Sequence, residues 1–138
     1  MIENKKPEIL FLCVHNAGRS QMAAGFARQL GGDRVIIHSA GTAPGEILNP
    51  AVVDVMREKG IDITDQAPQA LTEAMGLSSD VIITMGCGDA CPVYLGKRYL
   101  DWALTDPAGK TLEAIRPIRD EIEQLVSALL NELLTPTN

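Results

Sequence analysis

The sequence predicts an α/β fold: a four-stranded parallel sheet flanked by helices on both faces. Three observations predict it. Short continuous apolar runs at residues 8–14 and 80–85 have the character of buried parallel strands, and Val35-Ile36-Ile37-His38 reads as a further strand. Segments with helical spacing separate them. Loops or turns follow the strand segments, at 13–19, 86–96 and 106–109, and in such sheets ligands bind beyond the carboxyl ends of the strands.

The first strand, 8–14, is apolar throughout after Glu8. The helix after the next loop puts Met22, Phe26 and Leu30 on one face, with Ala23 and Ala27 beside them, and Gly31-Gly32 ends it. A second strand, Val35-Ile36-Ile37-His38, precedes a loop over 40–48 that carries glycine and proline. Asn49 is placed to cap a second helix with Pro50 at its first position, core face Val52, Val55 and Met56, and Gly60 at its end. Thr72 is placed to cap a short helix in the weaker region 67–76. A third strand follows at 80–85, a loop rich in glycine and cysteine at 86–96, and a short fourth strand at 98–102. Asp106-Pro107-Ala108-Gly109 is a turn. The last helix carries Ile118, Ile122, Leu125, Val126, Leu129 and Leu133 at helical spacing, and Pro117 either kinks it or marks its first turn.

The 138 residues, 46% of them hydrophobic, fit one domain spanning 1–138. A formal net charge of −6 with no basic stripe argues against nucleic acid. An acidic chain that binds an anion must do so with a local site. The polar stretch 1–6 and the brief apolar run 9–14 are too short for a signal peptide or membrane span, and Asn131 and Glu132 interrupt the last apolar stretch. A cytoplasmic monomer without membrane association is the expectation. The three cysteines are odd in number and are not spaced as a disulfide framework, which favours redox or catalytic thiols.

Cys13-Val14-His15-Asn16-Ala17-Gly18-Arg19-Ser20 is the segment that carries chemistry. A cysteine, five residues and an arginine between a strand and a helix form a cradle for a tetrahedral oxyanion. Backbone N–H groups of Val14, His15, Asn16, Ala17, Gly18, Arg19 and Ser20 can turn inward, and the helix N-terminus adds its field. The Arg19 guanidinium can hold two oxygens at once. The field that binds an anion also favours a thiolate at Cys13, so one loop binds the substrate and activates the nucleophile. A nucleotide-binding loop would need Gly-x-x-x-x-Gly-Lys-Ser/Thr, and the lysine is missing. A buried structural cysteine beside an incidental arginine is the plainer alternative, disfavoured by the strand, Gly18, Ser20 and helix around the pair. For His15, loop hydrogen bonding is the commoner role beside tuning of the anion site. His38, Tyr94, Tyr99 and Trp102 read as structural or packing residues.

With Ser39-Ala40-Gly41-Thr42, the segment from Phe11 to Gly25 resembles the low-molecular-weight protein tyrosine phosphatase superfamily. Residues 84–92 (Thr-Met-Gly-Cys-Gly-Asp-Ala-Cys-Pro) and 106–110 (Asp-Pro-Ala-Gly-Lys) resemble its arsenate reductase branch, the one coupled to thioredoxin. The similarity runs from Ile9 to about Leu130. The resemblance implies a phosphatase-like fold, Cys13 as nucleophile, Arg19 as oxyanion ligand, Asn16 as prop of the cradle and Ser20 as donor to the thiolate. It implies Asp106 as general acid, and Cys87 and Cys91 as two further redox cysteines.

Asp106 also makes independent sense, because expelling water from arsenate or phosphate needs a facing proton donor; as a bare feature it is equally a turn residue before proline. Cys87 and Cys91 separate the two chemistries. A phosphatase needs one thiolate, whereas arsenate reduction needs two electrons that a pair of thiols can supply by forming a disulfide. The reading is therefore arsenate reduction to arsenite by a three-cysteine relay, with no bound cofactor and an external thioredoxin or mycoredoxin-like reductant. The alternatives are a low-molecular-weight tyrosine phosphatase and a non-catalytic oxyanion or metal-responsive binding protein. A zinc site from the cysteines and a histidine lacks the paired spacing such sites use, and no metal site is expected. Ala24 stands where some family members carry an acidic residue linked to a monovalent cation. The spacing of the second and third cysteines is shorter than in some members.

Overall fold

The expected order of elements is present, with shifted ends. The computed structural model describes residues 6–86 and 91–134. Strand β1 (Glu8–Cys13) leads through the cysteine loop into α1 (Arg19–Gly31), and one 3-10 turn (Gly32–Arg34) joins it to β2 (Ile36–Gly41). Then come α2 (Pro50–Arg57), α3 (Glu73–Ser78), β3 (Val81–Thr84), β4 (Arg98–Asp101) and α4 (Leu112–Leu134). All strand pairs are parallel, in the order β2-β1-β3-β4. The chain leaves β1 for one side and returns to the other, so the crevice at this reversal opens at the carboxyl ends of β1 and β3. Cys13 is the last residue of β1.

Side chains alternate along β1 with the period of two that pleating imposes. Ile9, Phe11 and Cys13 join a large core with Met22 and Phe26 of α1, Val52, Val55 and Met56 of α2, and Ile115, Ile122 and Val126 of α4. Leu10 and Leu12 join Ala40 and Ile82 in a smaller cluster, against which Val14, Leu71, Met75, Cys91, Tyr94 and Tyr99 pack. Three helices therefore cover the face that carries Cys13, and the short α3 with its neighbouring loops covers the other. Trp102 packs on Phe11 with ring centroids 6.0 Å apart. Among the described residues no helix is long and apolar enough to cross a membrane.

Both predicted caps form. Asn49 Oδ1 accepts from the Ala51 amide at 3.0 Å with Pro50 at the first helical position, and Thr72 Oγ1 accepts from Met75 at 3.2 Å. Three expectations need correction. Leu30 does not share the core face of Met22 and Phe26; it is 42% exposed. Each step of four residues turns the helix about 40° past a full revolution, so Leu30 has rotated off the stripe. Strand β2 extends to Gly41 because Ala40 and Gly41 continue the ladder beside Leu12 and Cys13. Helix α4 begins at Leu112, five residues before Pro117. Thr111 caps it through the Ala114 amide at 3.3 Å, and burial of Ile115 holds the turn that the proline only follows. His38 lies inside β2, its Nε2 2.6 Å from Glu8 Oε2.

Candidate active site

The direction of the loop amides follows from where the loop carbonyls go. The Cys13, Val14 and His15 carbonyls accept from the amides of Thr42 (3.1 Å), Ala43 (2.9 Å) and Gly45 (2.9 Å). The Asn16 carbonyl accepts from Gln21 Nε2 at 2.8 Å, and the Ala17 carbonyl from Asn49 at 3.0 Å. A planar trans peptide points its N–H opposite to its C=O, and no cis bond is present among the described residues. Carbonyls drawn outward by the segment 42–49 thus turn the following amides inward, toward the sulfur. The Asn16 amide shows it, donating to Cys13 Sγ at 3.2 Å. The N-terminus of α1 has Gly18 as its cap, with no side chain satisfying its first amides, so these too are left for a ligand.

Cys13 is 2% exposed at the floor of this cradle, with a free thiol. Ser20 Oγ lies 2.8 Å from Sγ, and Asn16 Nδ2 donates to Ser20 Oγ at 2.7 Å. Asn16 holds φ +52°, the one non-glycine residue with positive φ among the described residues; asparagine tolerates this left-handed conformation better than most. Gly41 makes the close approach of β2 possible: a Cβ there would lie 2.5 Å from the Val14 carbonyl oxygen.

Arg19 is 9% exposed, its Nη1 donates to the Leu104 carbonyl at 3.3 Å, and its Nη2 is 3.8 Å from Asp106 Oδ2. Asp106 is 53% exposed and its other oxygen accepts from the Ala108 amide at 3.0 Å, an Asx turn that holds the carboxyl at the rim. Cys13, Arg19, Asp106 and Pro107 line one cavity of about 210 Å³ together with His15, Asn16, Ala17 and Gly18, a size suited to a small tetrahedral ion. His15 Nδ1 is 3.1 Å from the Ala43 carbonyl, which makes Nδ1 the donor and ties the ring to the outer segment. Val14 instead packs against the smaller hydrophobic cluster, and Ser20 is wholly buried behind the sulfur.

Cys87 lies outside the described residues. Cys91 is disulfide-bonded, and it packs against the same cluster of Leu10, Leu12, Ala40 and Ile82 as Val14. Among the described residues no group of three His, Cys, Asp or Glu side chains is placed to hold a metal ion. Sequence reasoning missed Gln21, Gln69 and Gly86. Gln69 donates its backbone amide to Asn16 Oδ1 at 2.9 Å. Gly86, at φ +92°, lies against the Arg19 guanidinium. Gln21 shares a helix face with Gly25 and Arg28, a spacing that reads as a solvated stripe, yet Gln21 is wholly buried. That stripe lines a separate and larger cleft of about 580 Å³ behind the cradle.

Residues 8–137 match the family described as low molecular weight phosphotyrosine protein phosphatase. Arsenate reductase 1 of Staphylococcus epidermidis is 34% identical over 134 residues, covering 94% of this chain and 99% of the relative. The glutaredoxin arsenate reductase of Synechocystis is 33% identical, covering 91% and 98%. Among solved structures, the thioredoxin-dependent arsenate reductase of Corynebacterium glutamicum superposes with a TM-score of 0.84 at 38% identity. That match covers 96% of this chain, and this chain spans 64% of that longer one. A low molecular weight protein tyrosine phosphatase from T. tengcongensis shares the fold, with a TM-score of 0.83 at 24% identity over 93% of this chain and 100% of that one.

Proposed function

Because the chain belongs to the low molecular weight phosphotyrosine protein phosphatase family, we propose that it uses this cradle to reduce arsenate to arsenite by a three-cysteine relay. One observation carries the reading: the thiol in the cradle, Cys13, is free while Cys91 is disulfide-bonded. A phosphatase has no use for the second feature. The relatives named as arsenate reductases support the same substrate.

The amides of residues 14–20 and the Arg19 fork bind arsenate, and the Cys13 thiolate attacks arsenic. Asp106 delivers a proton to the departing oxygen, which leaves as water. The Cys87 thiolate then attacks Cys13 Sγ. The sulfur–arsenic bond breaks and its electron pair leaves with arsenic, giving arsenite and a Cys13–Cys87 disulfide. The Cys91 thiolate attacks Cys87, which frees Cys13 and leaves a Cys87–Cys91 disulfide. A thioredoxin or mycoredoxin-like dithiol reduces that bond, taking the two electrons from its own thiols. No bound cofactor takes part.

Arsenate turnover coupled to a purified thioredoxin system tests the proposal. Protein reduced beforehand and freed of excess reductant should lose two free thiols per arsenite released. Arsenate turnover undiminished in Cys87→Ser would refute the relay. The cradle and Asp106 are also what a phosphatase needs, so slow hydrolysis of an aryl phosphate is compatible; hydrolysis without any arsenate-dependent thiol loss would establish the phosphatase reading instead.

A further inference from the structure

Gln21 sits in the first turn of α1, wholly buried and outside the lining of the oxyanion cavity. Its Nε2 donates to the Asn16 carbonyl at 2.8 Å, to Asn16 Oδ1 at 3.0 Å and to the Ala67 carbonyl at 3.2 Å. Two of these acceptors are backbone carbonyls, so the nitrogen end of the amide must point this way. Its Oε1 accepts from Gln66 Nε2 at 2.5 Å.

The same logic orients Asn16. Its Oδ1 accepts from the backbone amide of Gln69 at 2.9 Å, a group that can only donate. Its Nδ2 therefore faces Ser20 Oγ, 2.7 Å away, and donates to it. A hydroxyl that receives a hydrogen bond keeps its own hydrogen free, and the atom in reach is Cys13 Sγ at 2.8 Å. Donors thus run one way, from Gln21 through Asn16 and Ser20 to the sulfur, and each polarises the next. With the Asn16 amide reversed, Oδ1 would take the Ser20 hydrogen and leave the sulfur without it.

We infer that Gln21 is a positioning residue for the chemistry at Cys13: it locks Asn16 in the orientation that aims the Ser20 hydroxyl hydrogen at the sulfur, and so sustains the thiolate. This rests on Cys13 being the attacking sulfur of the proposed function.

The test uses a chain with Cys87→Ser and Cys91→Ser, in which Cys13 is the one thiol. The rate of Cys13 alkylation by iodoacetamide is followed against pH, a measurement that needs no arsenate and can succeed or fail independently of the relay. Gln21→Met removes both donors while keeping the length of the side chain. The alkylation profile should move to higher pH, with the thiolate fraction below the midpoint reduced on the order of tenfold. Ser20→Ala should move it by a similar factor, and adding Gln21→Met to Ser20→Ala should change it less than about twofold, because the two act through one hydrogen. An unmoved profile in Gln21→Met overturns the inference, as do factors that multiply in the double variant. If Gln21→Met is not folded by circular dichroism, Gln21→Leu is put through the same cycle with the same two outcomes.

Discussion

Replacing Gly86 by alanine tests whether Arg19 is held in place by the close approach of the backbone after β3. A Cβ at residue 86 would lie 2.4 Å from Arg19 Nη1, 3.2 Å from Cζ and 3.4 Å from Nη2. Ordinary contact begins near 3.4 Å, so the guanidinium must withdraw by about 1 Å. Retreat breaks the 3.3 Å bond to the Leu104 carbonyl and moves one prong of the fork off the oxyanion position. A hydrogen bond between charged partners contributes about 1.5–3 kcal/mol, so phosphate, an unreactive mimic of arsenate, should bind roughly 10- to 100-fold more weakly. The φ of +92° adds a second cost, on the order of 1–2 kcal/mol for any residue with a Cβ. Gly60→Ala separates the two effects. Gly60 has φ +75° and nothing within 4 Å of its Cβ position, so it shares the backbone cost without touching Arg19. Both variants should lose several degrees of Tm, at roughly 3 °C per kcal/mol. Only Gly86→Ala should lose phosphate affinity in isothermal titration calorimetry. Phosphate affinity within twofold of the parent in Gly86→Ala would mean that the backbone at residue 86 does not hold Arg19 in place.

Asp106→Asn keeps the turn but cannot give up a proton; single-turnover arsenite release should slow about 100-fold or more, with phosphate affinity unchanged or improved because a carboxylate near Arg19 is gone. Glu58 is held at about 2, below its usual 4.5, first by hydrogen bonding to Arg116 and then to Arg119. Its contribution is therefore present above pH 4.5 and lost as pH falls toward 2; the Tm difference between the parent and Glu58→Gln should shrink over that range, and a constant difference would remove Glu58 from the acid sensitivity. Asn49→Ala leaves the first amides of α2 without their side-chain acceptor and should cost about 1 kcal/mol in urea unfolding. The Asn49 backbone bond to Ala17 does not depend on its side chain, so phosphate binding should survive.

What could be read from the sequence was local. A continuous apolar strand, a loop with Gly18, and a helix opened by Arg19-Ser20 declare themselves within about twenty residues, and each cap was visible because its acceptor and donor lie two or three residues apart. Leu30, and Pro117 as a mark of the first turn of α4, were not settled by such short-range signals. A repeat of four residues marks a stripe but not where its drift of about 40° per step carries a residue such as Leu30 off the core, and it does not record that a cap at Thr111 starts α4 ahead of a proline. The packing of Cys91 against Leu10, Leu12, Ala40 and Ile82 had no such local signal.

The support of the cradle was hidden for a deeper reason. Gln69 acts on Asn16 from 53 residues away, Gly86 lies against Arg19 from the end of another strand, and Gly41 admits the Val14 carbonyl from the neighbouring strand. Gly41 and Gly86 stand in the segments that carry the family resemblance, but their roles, like that of Gln69, are a donor or an absence of side chain that matters only once the sheet has formed. It follows that the loop's own apolar side chains should matter less than its distant partners. Val14 packs away on the smaller cluster, and its amide is aimed by the Cys13 carbonyl bond to Thr42. Val14→Ala should therefore cost stability with little change in phosphate affinity. Gly41→Ala must displace a carbonyl 2.5 Å away, rotating the peptide that carries the His15 amide, and should weaken phosphate binding more than it lowers Tm. Equal losses of affinity in the two variants would mean that the cradle is shaped by its own sequence rather than by the strand beside it.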